Sequence, residues 1–146
     1  MKLVIQRVTQ SSVKIDNQIV GEIGKGMMVL VGLTHDDTLE IVEKLATRLL
    51  KLRIFPDEHK PLNLNIHDFG GQILLVSQFT LYANLSKGNR PSFVDAMEPT
   101  KAEELFNTFV AKVTELHSDK VATGKFGADM AVELINDGPT TIILEA

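Results

Sequence analysis

The 146-residue chain has no cysteine. Disulfides are thereby excluded, and with them thiolate nucleophiles and cysteine-ligated zinc. A basic excess is missing too: 15 lysines and arginines stand against 19 aspartates and glutamates, a net charge of −4. General nucleic-acid binders carry a basic stripe or a strongly basic balance. DNA is therefore not expected as a partner, although the charge leaves room for a protein that grips one RNA end and lets go. No apolar run approaches the ~20 residues of a membrane helix. The longest, such as MMVLVGL (27–33), are strand-length, and no membrane partner is expected. With no charged–apolar–small leader at the start and no cysteine, the expected location is the cytoplasm. His35, His59, His67 and His117 have no partner at metal-ligand spacing, so each reads as a surface or loop histidine. No metal or other cofactor is expected. G-x-S-x-G is absent, and GEIGKG (21–26) runs into a strand rather than a helix. Neither a nucleophile elbow nor a phosphate loop is supported.

What remains is an ordinary globular composition, 44% apolar and 23% charged, long enough for a real core and read as one domain, 1–146. KLVIQRVTQSSVKI (2–15), VGEIG (20–24) and GMMVLVGLT (26–34) read as strands punctuated by glycine. The period then changes. Val42, Leu45, Leu49 and Leu52 fall on one face of a helix predicted over about 38–52, with Asp37 as N-cap and Glu40 in its first turn. A second helix is predicted from Thr100 to about His117. Thr100 and Glu103 make a capping box, and Ala102, Leu105, Phe106, Phe109, Val110 and Val113 form the apolar stripe. The tail from Val121 returns to strands, broken at NDGP (136–139). Strands outnumber helices and come in runs. The fold class is α+β, a mostly antiparallel sheet or barrel with two main helices packed against it.

Two stretches do not fit a plain scaffold. QILLVSQFTLYA (72–83) has the composition of a buried strand, yet Ser77 and Gln78 stand side by side in it, with Thr80 close behind. Neighbouring strand residues face opposite ways, so one solvated face cannot take both. An unpaired buried amide or hydroxyl costs on the order of 1–3 kcal/mol. These groups therefore need partners, either in the protein or in a ligand. Thr80 alone makes a poor nucleophile, because no base adjoins it in sequence. The second stretch, NDGPTT (136–141), reads on composition as a hairpin turn. The other reading is that Gly138–Pro139 offers its backbone to something, since glycine allows close approach and an X–Pro bond can be cis. Arg7, odd among Val4, Ile5 and Val8, is either a rim residue or a clamp on backbone carbonyls or a carboxylate. The loop 84–99, with Lys87 and Arg90, is too long for a simple turn, and such loops are usually functional or disordered.

The chain resembles the D-aminoacyl-tRNA deacylases of the bacterial and eukaryotic type. The likeness is carried by QRV (6–8), VGEIGKGMMVLVG, LRIFPDE with LNLN, SQFTL (77–81), KGNRPSF (87–93), FGADM (126–130) and NDGPTT, and so runs along the whole sequence. The resemblance implies hydrolysis of the ester of D-aminoacyl-tRNA and of mischarged glycyl-tRNA, with the aminoacylated 3′ end of tRNA as partner. It implies a homodimer in which Gly138 and Pro139, joined by a cis bond, enter the other subunit's site and reject L-amino acids. Ser77, Gln78, Phe79 and Thr80 would lie at the scissile ester, Phe126, Ala128 and Met130 would form a second wall, and Arg7 would brace the Gly–Pro segment. Thr140 stands where many relatives have valine. Peptide N–H groups around Phe79 and Thr80, helped by the ribose 2′-OH, would drive the reaction, with a Thr80 nucleophile as the competing mechanism. A non-catalytic RNA-end module and a purely structural dimer are the alternatives.

Overall fold

The structure, a computed structural model, describes residues 1–146. Six strands and three helices follow in the order β1 (Lys2–Ile15), β2 (Gln18–Ile23), β3 (Gly26–Gly32), α1 (Leu39–Leu50), α2 (Ile66–Phe69), β4 (Gln72–Ser77), α3 (Pro99–Leu116), β5 (Val121–Thr123) and β6 (Ala131–Glu145), with a 3-10 turn at Phe79–Tyr82. The class is α+β, as the strand-rich pattern predicts. β1 is the spine of the sheet. It pairs antiparallel with β3 through its first half, with β2 through its second, and with β6 on its other edge. β3–β4 and β4–β5 are parallel, so the sheet is mixed. A Cβ at Gly21 would lie 2.5 Å from the Thr123 carbonyl oxygen, which shows how far β2 curls back over β5 toward closing a barrel.

The two long helices pack side by side on one face. Val42, Leu45, Ala46 and Leu49 from α1 and Phe106, Phe109 and Val113 from α3 join Leu3, Ile5, Val29, Ile73 and Leu75 in the main core. A smaller cluster around Val8, Val13, Met28, Leu74 and Val76 fills the other face. No helix is long and apolar enough to cross a membrane.

Several local expectations are corrected. α1 is capped by Thr38, not Asp37. The Asp37 carboxylate instead turns inward, where it takes hydrogen bonds from the Met1 amino group and from the Thr34 N–H. α3 begins at Pro99 with Glu98 as its cap, so Thr100 and Glu103 form no capping box. Glu98 bonds the N–H groups of Thr100 (3.0 Å) and Lys101 (3.1 Å), and those bonds hold its carboxyl below the usual range. The proline, with its fixed φ and no N–H, suits the first helical position and puts the cap two residues earlier than the capping-box reading, at Glu98 instead of Thr100. His117 is buried, not a surface residue: its Nε2 lies 2.9 Å from the Gly71 carbonyl oxygen and its Nδ1 3.3 Å from that of His67. The segment 56–71, read as a connection, contains α2, whose Phe69 stacks on Phe55 at 4.5 Å.

The largest departure is at 136–141. There is no hairpin. β6 runs straight through, and both its halves pair with β1, Gln6 opposite Thr141 and Val8 opposite Asn136. Asp137–Thr140 therefore face the single residue Arg7 and are extruded as a wide bulge, in which the Gly138–Pro139 bond is cis. A hairpin would need the two halves of β6 to pair with each other; the long apolar β1 supplies a better partner to both.

Candidate active site

The strand expected to run through 83 stops at Ser77. The Gln78 N–H makes a last ladder-like bond to Val31 O (2.8 Å), and the chain then tightens into the 3-10 turn. Gly32, at the end of β3, makes room for that turn. A Cβ there would sit 3.0 Å from Leu81 Cβ and 3.3 Å from the Gln78 carbonyl oxygen. Leaving the strand resolves the polar pair of the sequence. Ser77 and Gln78 are half-buried at a strand end, and the Gln78 amide donates to the Thr80 hydroxyl. The first turn of a helix also leaves its leading N–H groups without an intrahelical acceptor. Phe79 and Thr80 N–H occupy that position, and neither makes a hydrogen bond to a backbone carbonyl elsewhere.

Beside the turn opens a half-enclosed cavity of about 670 Å³. Ser77, Gln78 and Phe79 form one wall, and Phe126, Ala128 and Met130, from the loop between β5 and β6, form another. Two segments nearly fifty residues apart in sequence thus meet across one space. The floor is apolar: Val31, Leu33, Val76, Met97 and Ala102. Phe79 is 57% exposed and meets Phe93 edge to face at 4.9 Å. Thr80 lies outside the lining. Its hydroxyl has the Gln78 amide beside it and no base, so nothing there would activate it as a nucleophile.

Gly138, Pro139 and Arg7 do not line this cavity. Arg7 is buried and clamps carbonyls: Nη1 donates to Ile54 O (2.7 Å) and Pro61 O (3.1 Å), and Nε to Asp137 O (3.2 Å). Its guanidinium also pairs with the Asp137 carboxylate at 3.1 Å. The tip of the bulge, Gly138–Pro139, is exposed. Gly138 has φ 120°, and a Cβ there would stand 2.9 Å from Arg7 Nη2 and 2.6 Å from Thr140 Oγ1. A side chain has no place at this position.

Sequence reasoning missed the third wall, His35, Phe93, Val94, Glu98 and Pro99. The signal was present in the long loop 84–99, where Phe93 and Val94 interrupt a polar stretch and Val94 stays 70% exposed. His35 ties this wall down, its Nε2 lying 2.7 Å from Val94 O.

The chain is thus a small α+β protein with an open, mostly apolar cavity, unpaired peptide N–H groups beside it and an exposed backbone bulge elsewhere. The chain belongs to the D-Tyr-tRNA(Tyr) deacylase family, a family of hydrolases, whose pattern matches residues 4–145. Among its relatives, the D-aminoacyl-tRNA deacylase of Lactobacillus helveticus is 56% identical over 99% of both chains. That of Clostridium botulinum is 49% identical over 100% of this chain and 97% of its own. A solved structure named c-Myc DNA Unwinding Element Binding Protein superposes with TM-score 0.94 at 40% identity, over 100% of this chain and 99% of that one. A probable eukaryotic D-amino acid tRNA deacylase superposes at 0.82 over 98% and 97%, a likeness of fold alone at 20% identity.

Proposed function

We propose that this chain hydrolyses the ester joining a D-amino acid, or glycine, to the terminal ribose of tRNA, and that it spares L-aminoacyl-tRNA. The observation that carries this reading is the meeting of Ser77–Phe79 with Phe126–Met130 across one cavity, beside two free peptide N–H groups. An aminoacyl ester is already activated, so no strong nucleophile is needed. Water adds to the carbonyl carbon, and the oxyanion is held by the N–H groups of Phe79 and Thr80. A donor of this kind contributes roughly 3–4 kcal/mol in enzymes where it has been measured. Collapse breaks the C–O bond, and the ribose oxygen leaves with a proton. The neighbouring 2′-OH relays the proton from the attacking water.

Selectivity comes from rejection. One methylene changes binding by only about 1–3 kcal/mol, too little to protect abundant L-substrates, whereas a steric and carbonyl–carbonyl conflict excludes them outright. With the amino group fixed, an L side chain points at Gly138–Pro139 and a D side chain points away. Glycine has nothing to clash. The bulge serves the cavity of a second copy, which makes the working unit a homodimer. Support for that pairing lies on β6, whose outer edge has no strand partner and which leaves Ile135 52% and Ile143 60% exposed on either side of the bulge. Residues 1–146 act as one domain in the cytoplasm, on the 3′ end of charged tRNA, without cofactor and without a DNA partner.

The test is release of free amino acid from matched D-tyrosyl-, L-tyrosyl- and glycyl-tRNA. D-tyrosyl-tRNA is cleaved, glycyl-tRNA measurably so, and L-tyrosyl-tRNA is left intact. Equal rates on the D and L substrates would refute the scheme.

A further inference from the structure

Asp137–Thr140, four residues opposite one, have no ladder partners of their own, so side chains must set where such a bulge stands. Arg7 holds its inner surface through Asp137. Its two feet, Asn136 and Thr141, are held by a different residue. The side-chain oxygen of Gln6 in β1 accepts from Asn136 Nδ2 at 2.7 Å and from Thr141 Oγ1 at 2.5 Å. Asn136 then turns its own amide oxygen inward, where it accepts from the Thr140 N–H at 3.3 Å. One oxygen atom thus ties together the residues immediately before and after Asp137–Thr140, and a second bond closes the loop from within.

We infer that Gln6 is a positioning residue for chiral discrimination: it fixes the neck of the bulge, and so the height and direction at which Gly138 and Pro139 present their main chain. This rests on the reading of that segment as the filter. A steric filter acts over fractions of an ångström, because repulsion rises steeply at contact. A neck free to spread admits side chains that a closed one turns away. Without Gln6 the β1–β6 ladder on either side survives, since residues 2–5 and 10–14 keep their own pairings. Loss of the clamp therefore acts on selectivity before it acts on the fold.

Gln6→Leu keeps the volume and deletes the acceptor, while Gln6→Glu keeps acceptor oxygens in the same place. The measurement is the ratio of kcat/KM on L-tyrosyl-tRNA to that on D-tyrosyl-tRNA. Gln6→Leu raises this ratio at least about tenfold and Gln6→Glu holds it within about twofold of wild type. Thr141→Val, on the exposed strand edge, removes one of the two donors and raises the ratio by a smaller factor. It carries the test should Gln6→Leu fail to fold. An unchanged ratio in the folded variants, even with a lowered melting temperature, would overturn the inference, as would a glutamate variant as permissive as the leucine one. Wild-type protein that cleaves both substrates equally removes the filter reading and this role of Gln6 together, and the wild-type measurement alone tells that failure apart.

Discussion

Arg7 shows how much one side chain does here. Its guanidinium joins three carbonyls from three parts of the chain, Ile54, Pro61 and Asp137, in a buried position where each charge-assisted bond contributes about 1.5–3 kcal/mol. Arg7→Met leaves those carbonyls without their donor. It should lower unfolding free energy in urea by about 3 kcal/mol or more and weaken the preference for D-substrates. Arg7→Lys should recover little, because one ammonium cannot reproduce the fork. At Gly138, alanine meets both a left-handed φ and the Arg7 guanidinium. Gly138→Ala should cost about 1–3 kcal/mol and shift the D/L ratio of kcat/KM, read by urea melts and deacylation assays. Thr80 lacks a base, so Thr80→Val should keep kcat within about tenfold of wild type. A total loss in a folded protein would restore the hydroxyl nucleophile.

At the scale of elements, the long periodic segments were legible. β1 and the two long helices fall where the apolar spacing puts them, because period alone decides which face is buried. Their ends were not. SQFTL has a strand's composition, but the chain turns at Gln78 because β3 ends at Gly32 and offers room for a 3-10 turn, which no local propensity records. His117 does lie in the loop after α3, but the surface-or-loop reading gave no sign of its burial, because a single histidine after a helix carries no periodic signal. Its burial beneath Gly71 depends on where α2 packs. That burial, reinforced by the neighbouring His67, holds the imidazole below its ordinary value of 6.5. The unfolded chain keeps that ordinary value, so between the two pKa values it binds the extra proton and acid favours unfolding. The stabilising contribution is complete above pH 6.5 and is lost as pH falls through the folded value. Thermal melts from about pH 7.5 to 5.5 should show a falling melting temperature, and His117→Gln should flatten that slope. An identical slope in the variant would assign it to other groups.

At the scale of the molecule, cavity and bulge do not meet within one chain. If each serves a second copy, defects in the two must complement. A Gly138→Ala chain retains a sound cavity, and a Phe79→Ala chain retains a sound bulge. Mixed and reassembled, they should form heterodimers with one intact composite site. Such heterodimers should regain up to about half the wild-type D-selective activity per dimer, while each variant alone stays impaired. Light scattering should give a mass near twice the 16.1 kDa chain. Absence of complementation in confirmed heterodimers would place filter and cavity in the same subunit.

By itself the sequence determined the α+β class, the long β1, both main helices and the two polar interruptions that needed partners, because burial pattern and turn chemistry are local properties of the chain. The tertiary structure alone decided that NDGPTT is a bulge in one strand, that SQF faces FGADM across a cavity, and that Gln6 and Arg7 hold the bulge from β1. Those outcomes depend on which distant strand offers the better pairing and on how much room a neighbouring glycine leaves. Such competitions between remote segments are settled only when the chain is packed.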